Sequence, residues 1–195
     1  CKEFGYFMEM GTGKSKVLID NLGMLYLKGL LNFALVIAPK GVYRNWVAKE
    51  IPEHMSDDVP HRVIRWVSGA NKKQAEEMRS VKDKFDGLTI FVMNVESFST
   101  VKGQKAGQWL ARAFGSRGMI AIDESTTIKN HKAKRTKALT KIAAAFQYKR
   151  LLTGSPITKS PLDIYAQADF LRPSILGHES FYSFQARYAV LQRRA

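Results

Sequence analysis

The segment at residues 9–15, with the sequence EMGTGKS, constrains this chain most. Its two glycines permit a tight turn that brings backbone N–H groups close to an anion. The lysine side chain can reach the β- and γ-phosphates of a nucleotide, and the serine hydroxyl can bind Mg²⁺. Apolar residues on both sides suit a strand, a loop and a helix whose N-terminus attracts phosphate. The predicted nucleotide contacts are Met10, Gly11, Thr12, Gly13, Lys14, Ser15 and Lys16.

This loop alone leaves the interpretation open. The strict pattern G-x-x-x-x-G-K-[ST] is not met, because Met8 stands where its first glycine belongs. The tripeptide Gly13-Lys14-Ser15 also occurs by chance at the starts of helices. Other segments of the chain therefore have to decide between a nucleotide site and an ordinary helix start.

Short apolar runs, typical of strands buried on both faces, alternate with helical patterns along the chain. The predicted strands are residues 6–8, 34–38, 63–67, 89–93, 119–122 and 151–153. The predicted helices are residues 15–30, 42–54, 71–85, 104–114, 132–146, 162–171 and 180–191, and the most loop-like segments are 80–87 and 102–107. This alternation predicts an α/β fold with a mainly parallel sheet, helices on both faces, and ligands at the carboxyl ends of the strands.

Two carboxylates, Asp123 and Glu124, follow the apolar run at 119–122. An aspartate at a strand end can hold Mg²⁺ opposite Ser15. The neighbouring glutamate can orient and deprotonate an attacking water. The structural alternative makes Asp123 a helix cap and Glu124 its surface neighbour. A third strand end, near Thr153 and Ser155, presents two hydroxyls beside a glycine and a proline, which predicts a turn at the same sheet edge.

Charge favours a polyanionic partner. The 195 residues carry 31 Lys+Arg and 17 Asp+Glu, a formal net charge of +14. Residues 97–162 hold 13 of the basic residues and only two acidic ones. This excess of positive charge favours nucleic acid as a partner, although a solvated basic face is the alternative. Three lysines at helical spacing, Lys134, Lys137 and Lys141, form a stripe for phosphate, whereas Trp46 falls on an apolar helix face and is expected in the core.

Other classes of protein are disfavoured by composition. No run of about 18 apolar residues exists, so we expect no membrane partner. The single cysteine gives no disulfide framework, and the four histidines show no metal-ligand spacing. We expect an intracellular protein, cytoplasmic if bacterial or phage-encoded and nuclear if eukaryotic. Because the sequence begins with Cys1 rather than Met, we also expect it to be a piece of a longer protein.

In their order, these segments resemble domain 1 of superfamily 2 helicases and translocases, most closely the Swi/Snf-like branch and its phage and bacterial relatives. Residues 9–15 are similar to motif I and residues 36–46 to motif Ia. Residues 92–98 are similar to the motif that follows, residues 123–130 to motif II, and residues 152–173 to motif III and its sequel. The resemblance implies a RecA-like P-loop NTPase domain that uses ATP and Mg²⁺ to move on nucleic acid, with double-stranded DNA as the expected partner. The resemblance assigns catalysis to Lys14, Asp123 and Glu124, and Mg²⁺ binding to Ser15 and Asp123. It assigns the coupling of hydrolysis to movement to Thr126, Thr153 and Ser155, and contact with one nucleic-acid strand to Pro39 and Lys40.

The resemblance also implies that residues 1–195 are a single ATP-binding lobe. We expect the upstream adenine-contacting segment and the second RecA-like lobe, which supplies arginines to the γ-phosphate, to lie outside this sequence. The lobe alone should then show almost no ATPase activity. If it nevertheless turned over ATP, Arg150 and Arg172 would be the first arginines to consider within it. Thr126 stands where the family usually has His or Asp, a side chain that normally bonds towards motif III.

Two alternatives remain at this point. The chain can be the motor part of a restriction or nuclease complex, which a fused nuclease domain would indicate. It can also be a non-catalytic, basic nucleic-acid-binding module with a degenerate nucleotide site. An ATP-binding assay with and without Mg²⁺ separates that module from both enzymes.

Overall fold

A single parallel sheet organises the computed structural model, which describes residues 1–189. Its strands are β1 (Glu3–Phe7), β2 (Phe33–Ala38), β3 (His61–Arg65), β4 (Leu88–Asn94), β5 (Gly118–Asp123) and β6 (Tyr148–Thr153). They lie in the order β1-β6-β5-β2-β4-β3, and every neighbouring pair is parallel. The carboxyl ends of all six strands therefore meet at one edge, and the α/β prediction is confirmed.

Helices connect successive strands, and two more follow the last strand. They are α1 (Lys14–Leu27), α2 (Tyr43–Asn45), α3 (Ile51–His54), α4 (Lys72–Arg79), α5 (Val101–Phe114), α6 (Lys134–Ala143), α7 (Asp163–Leu171) and α8 (Phe181–Tyr188). A π-helical stretch, Trp46–Glu50, joins α2 to α3, so residues 43–54 form one continuous helical segment. The helix predicted at 71–85 is shorter, because α4 ends at Arg79 in a 3₁₀ turn. The predicted end of the last helix, at residue 191, lies outside the described residues.

The prediction of a loop at 102–107 is wrong, because these residues lie inside α5. The two glycines that suggested a loop serve close packing instead. A Cβ at Gly103 would lie 2.1 Å from the carbonyl oxygen of Ser97, and one at Gly107 would lie 2.6 Å from the Phe98 ring. The helix therefore needs glycine where it touches the turn Val95–Ser99.

Apolar side chains fill both faces of the sheet. Alternate residues of β2 belong to different clusters, with Leu35 on one face and Val36 on the other. The cluster around Leu35 includes side chains of α5, α6 and α7, and the cluster around Val36 includes side chains of α1 and the 43–54 segment. Helices thus cover both faces, as predicted. Among residues 1–189, no helix is long and apolar enough to cross a membrane.

Arg150 lies within β6, away from the carboxyl edge, and is only 3% exposed. Its guanidinium donates hydrogen bonds to the side chain of Asn21 at 3.1 Å and to the carbonyl oxygens of Lys2, Lys149 and Cys1 at 2.8, 2.9 and 3.2 Å. These bonds join β6 to α1 and to the residues before β1. The guanidinium is committed to the fold, so Arg150 is not available to a γ-phosphate.

Replacing Arg150 should therefore reduce stability and leave nucleotide affinity unchanged. We expect Arg150→Met to lower the free energy of unfolding by roughly 1.5–3 kcal/mol, because charge-assisted hydrogen bonds are lost. Urea titration followed by circular dichroism measures this change, with the exposed Arg112→Met as control. A variant that is as stable as the wild type and binds nucleotide more weakly would contradict the structural role.

Candidate nucleotide-binding site

The loop between β1 and α1 has the backbone geometry of an anion cradle. Gly11 and Gly13 adopt φ of 79° and 86°, the left-handed region that glycine enters without steric cost. The Thr12 hydroxyl donates to the carbonyl oxygen of Glu9 at 2.7 Å and closes the turn. The loop residues at 10–13 are exposed, and α1 begins immediately after Gly13. Its open N–H groups and helix N-terminus suit a phosphate.

Lys14 points back into this loop. Its Nζ donates to the carbonyl oxygens of Met8 at 3.1 Å and Glu9 at 2.9 Å, and the residue is 9% exposed. Both acceptors are neutral, so phosphate oxygens would give the ammonium group stronger, charge-assisted bonds. The Lys16 side chain instead pairs with Asp20 at 2.7 Å on the surface of α1, so a nucleotide contact from Lys16 would come from its backbone.

The two carboxylates lie at the end of β5, where the chain turns. Asp123 is 7% exposed, and its Oδ2 accepts from the indole Nε1 of Trp46 at 2.9 Å while its Oδ1 accepts from the backbone N–H of Glu124 at 3.0 Å. Glu124 adopts φ 50° and ψ 63°, a strained left-handed conformation for a residue with a Cβ. This turn breaks the strand alternation, so that Glu124 lines the cleft described below.

Burial changes the acidity of both groups. Burial raises the pKa of Asp123 and outweighs the hydrogen bonds from Trp46 and Glu124, which lower it. Burial and then the charge of Asp123 raise the pKa of Glu124. Neither carboxylate has a salt-bridge partner among residues 1–189. A buried aspartate and a half-buried glutamate without salt-bridge partners fit a cation. The charge of Lys14 lowers the pKa of both groups, but burial outweighs it, and a raised pKa brings a general base closer to neutral pH.

The donor set fits Mg²⁺ held together with a nucleotide. Within residues 1–189, no group of three or more His, Cys, Asp or Glu side chains forms a metal site of its own. Protein-bound Mg²⁺ usually has one or two carboxylates, with substrate phosphates and water completing its shell. Ser15 opens α1 after β1, and Asp123 ends β5, with only β6 between these strands. Ser15 and Asp123 are therefore the residues that would hold the ion.

A cleft of about 550 Å³ opens between these segments. It is lined by Glu9, Met10, Lys14, Glu124, Thr126, Thr153, Gly154, Ser155 and Thr158. The cleft thus brings Lys14 and the start of the phosphate loop together with Glu124 and the three predicted coupling residues, whereas Ser15 and Asp123 are not among its lining residues. The turn after β6 also touches the phosphate loop, because a Cβ at Gly154 would lie 3.4 Å from both Met8 O and Met10 N.

Sequence reasoning missed several contacts around the cleft. Trp46 was expected only as a core residue, which its complete burial confirms, but it also binds Asp123. Gln167, fully buried on α7, accepts from the Ser125 hydroxyl at 2.6 Å. A polar side chain on an otherwise apolar helix face needs a buried partner, and that was the available signal for Gln167.

The predicted nucleic-acid residues lie on two separate elements. Lys40 is exposed after β2, but its backbone N–H donates to the carboxylate of Glu96 at 3.1 Å. The backbone N–H of Lys40 is therefore not free for a phosphate, although its side chain remains exposed. The stripe of Lys134, Lys137 and Lys141 lies exposed along α6.

A family model described as the SNF2-related domain matches residues 7–192. The chain belongs to the SNF2-related domain family. SNF2 relatives include an SNF2 domain-containing protein of Oryza sativa subsp. japonica, 25% identical over 186 residues, which cover 94% of this chain and 18% of that protein. An uncharacterized ATP-dependent helicase of Mycoplasma genitalium is 30% identical over 179 residues, covering 91% of this chain and 15% of the relative. The chain thus spans less than a fifth of these relatives.

Solved structures support the same SNF2 fold. The Sulfolobus solfataricus SWI2/SNF2 ATPase core in complex with dsDNA matches with a TM-score of 0.68 and 23% identity, over 96% of this chain and 34% of that chain. The UvsW helicase of bacteriophage T4 matches with a TM-score of 0.55 and 17% identity, over 87% of this chain and 52% of that chain. The RecA-like fold class is therefore confirmed.

The cleft geometry of this SNF2 domain predicts the effect of removing Lys14. Lys14→Ala should weaken ADP or ATP binding at least about tenfold, since one charge-assisted contact is lost. Isothermal titration calorimetry of the chain measures the affinity, with Lys28→Ala as control because it removes an exposed lysine at the other end of α1. Equal affinity for the wild type and Lys14→Ala would refute the assignment of the loop.

Proposed function

We propose that this chain is the ATP-binding lobe of a nucleic-acid-dependent ATPase that couples hydrolysis to movement on duplex DNA. The observation that carries the proposal is the cleft lined by Lys14 and Glu124, beside a buried Asp123 that has no salt-bridge partner in residues 1–189. Membership of the SNF2-related family supports it. A degenerate nucleotide site is disfavoured, because Lys14 and both carboxylates are present at the carboxyl edge of the sheet, with Lys14 and Glu124 in one cleft.

Each residue has a chemical task in this proposal. The loop N–H groups and Lys14 bind the phosphates, and Ser15 and Asp123 hold Mg²⁺. When bound, Mg²⁺ neutralises negative charge on the phosphate oxygens. Glu124 orients the attacking water and accepts its proton, which its raised pKa favours. Thr126, Thr153 and Ser155 line the same cleft and would sense the nucleotide.

Hydrolysis also needs a partner for the cleft. We infer a second RecA-like lobe that supplies an arginine to the γ-phosphate, a contact that is worth about 10³–10⁵ in rate in related chemistry. Residues 1–195 would then be one lobe of a longer, intracellular motor, with little turnover alone. Duplex DNA is the proposed track. The basic surface of the chain supports this choice, as does its likeness to the Sulfolobus solfataricus SWI2/SNF2 ATPase core, which was solved in complex with dsDNA.

The role of Glu124 is tested by replacing its carboxylate with the amide of glutamine, which has nearly the same shape. In a protein that combines this chain with its second lobe, Glu124→Gln should keep ATP affinity and lower turnover by about 10²–10⁴-fold, because only the base is removed. Asp123→Asn should instead weaken the Mg²⁺-dependent part of binding. Steady-state phosphate release and nucleotide titration measure both effects, with the exposed Glu53→Gln as control. If Glu124→Gln hydrolysed ATP at the normal rate, a group other than Glu124 would have to activate the attacking water.

DNA binding should be independent of sequence and sensitive to salt. Each phosphate that a lysine neutralises adds about −0.9 to the slope of log K against log salt on duplex DNA. Reversing Lys134, Lys137 and Lys141 to Glu should reduce that slope. The matched control reverses Lys2, Lys28 and Lys84, three exposed lysines outside the stripe. Fluorescence anisotropy across a salt series measures K, and an equal effect of both triple variants would leave the stripe as ordinary surface.

A further inference from the structure

A buried glutamine on α7 joins two segments that flank the cleft. Gln167 is fully buried, and its Oε1 accepts a hydrogen bond from the Ser125 hydroxyl at 2.6 Å. Its Nε2 donates to the carbonyl oxygens of Pro156 at 2.7 Å and Asp163 at 2.9 Å. Ser125 directly follows Glu124, and Pro156 belongs to the loop after β6. One side chain therefore joins the residue that follows the acid pair to the loop after β6.

The orientation of this amide is fixed by its partners. The carbonyl oxygens of Pro156 and Asp163 can only accept, so the NH₂ group of Gln167 has to face them. Its oxygen then faces Ser125, whose hydroxyl donates. Both N–H donors and the acceptor are used, and a fully satisfied buried amide has no alternative orientation of equal energy. Movement of the Ser125 backbone is thus coupled to the loop at Pro156.

Asp163, at the start of α7, fixes the same loop. Its Oδ2 accepts from the Thr158 N–H and hydroxyl at 3.0 and 2.8 Å, from the Lys159 N–H at 2.8 Å and from the Lys129 ammonium at 3.2 Å. Burial alone would raise the pKa of Asp163, but these hydrogen bonds together hold it well below its ordinary value. Lys129 follows the 3₁₀ turn Ser125–Ile128, so it forms a second link from that turn to the loop.

The residue expected to make this link does not make it. Within residues 1–189 the Thr126 hydroxyl forms no hydrogen bond, although the residue lines the cleft. The connection from the acid pair to the third segment instead starts one residue earlier, at Ser125, and passes through α7. Thr158, which lines the far wall of the cleft, lies between the two anchors of the loop, Gln167 and Asp163.

We propose that Gln167 is a positioning residue that transmits the nucleotide state of the acid pair to the loop at 155–159 through Ser125. This inference rests on the proposed nucleotide site. A nucleotide that draws Asp123 and Glu124 towards its metal and phosphates moves the attached Ser125, and the amide passes that movement to the carbonyl of Pro156. The loop at 155–159 then responds to the nucleotide through Gln167, in addition to any contact that Ser155 and Thr158 make from the cleft wall.

Hydrogen exchange by mass spectrometry on the chain, with and without Mg²⁺ and ADP, tests this coupling. In the wild type, nucleotide should slow exchange at residues 11–15 and also at 155–159. In Gln167→Met, which keeps the volume and removes the amide, slowing at 11–15 should remain, while slowing at 155–159 should fall by roughly tenfold, as expected for the loss of one or two hydrogen bonds. The matched control is Gln104→Met, which loses a similar amide bond to Phe98 O at 2.8 Å, far from the cleft.

Ser125→Ala tests the same link without altering α7, and it serves if Gln167→Met does not fold. It should also lose the slowing at 155–159 and keep that at 11–15. Retention of the nucleotide effect at 155–159 in both variants, or its absence in the wild type despite slowing at 11–15, would overturn the inference alone. Absence of any slowing at 11–15 in the wild type would refute the proposed nucleotide site and the inference with it.

Discussion

The burial of Asp123 is the constraint on which the arrangement of the cleft depends. A carboxylate that is 7% exposed needs donors, and it takes them from the Trp46 indole and the Glu124 backbone. Trp46 begins the π-helical stretch inside the helical segment 43–54, and π-helical turns are frequent at functional sites. The indole is thus fixed both by the core and by the acid. The carboxylate has no salt-bridge partner in residues 1–189, which leaves the site suited to a cation.

The sequence predicted the sheet and the three chemical loops because each signal is local. Apolar runs of strand length located all six strands, and glycine, hydroxyl and carboxylate residues at strand ends located the cleft. Local signals also caused the errors. The glycines at 103 and 107 suggested a loop because their packing partners, Ser97 and Phe98, are visible only in three dimensions. Arg150 was considered for catalysis because it precedes Thr153, although its partners lie at the other end of β6.

The contacts that sequence could not predict join residues far apart in the chain. Trp46 and Asp123 are 77 positions apart, and Ser125 and Gln167 are 42 apart. The strand order, with β6 between β1 and β5, decides which loops become neighbours, and no residue pattern within one segment encodes that order. The sequence analysis did not single out Gln167, and its partner is visible only from the packing of α7.

Glu124 occupies a place between two fixed neighbours. Asp123 is bound by Trp46, which belongs to the core on the α1 face of the sheet, and Ser125 is bound by Gln167 on α7, whose Phe170 and Leu171 belong to the core on the other face. The peptide that carries Glu124 is therefore anchored to both helix layers, and its left-handed backbone is maintained by those two anchors. Because the strain is held from both sides, a shift in either layer alters the direction of the Glu124 carboxylate. A chain with this arrangement can transmit a change on either face of the sheet to the one group that would activate water.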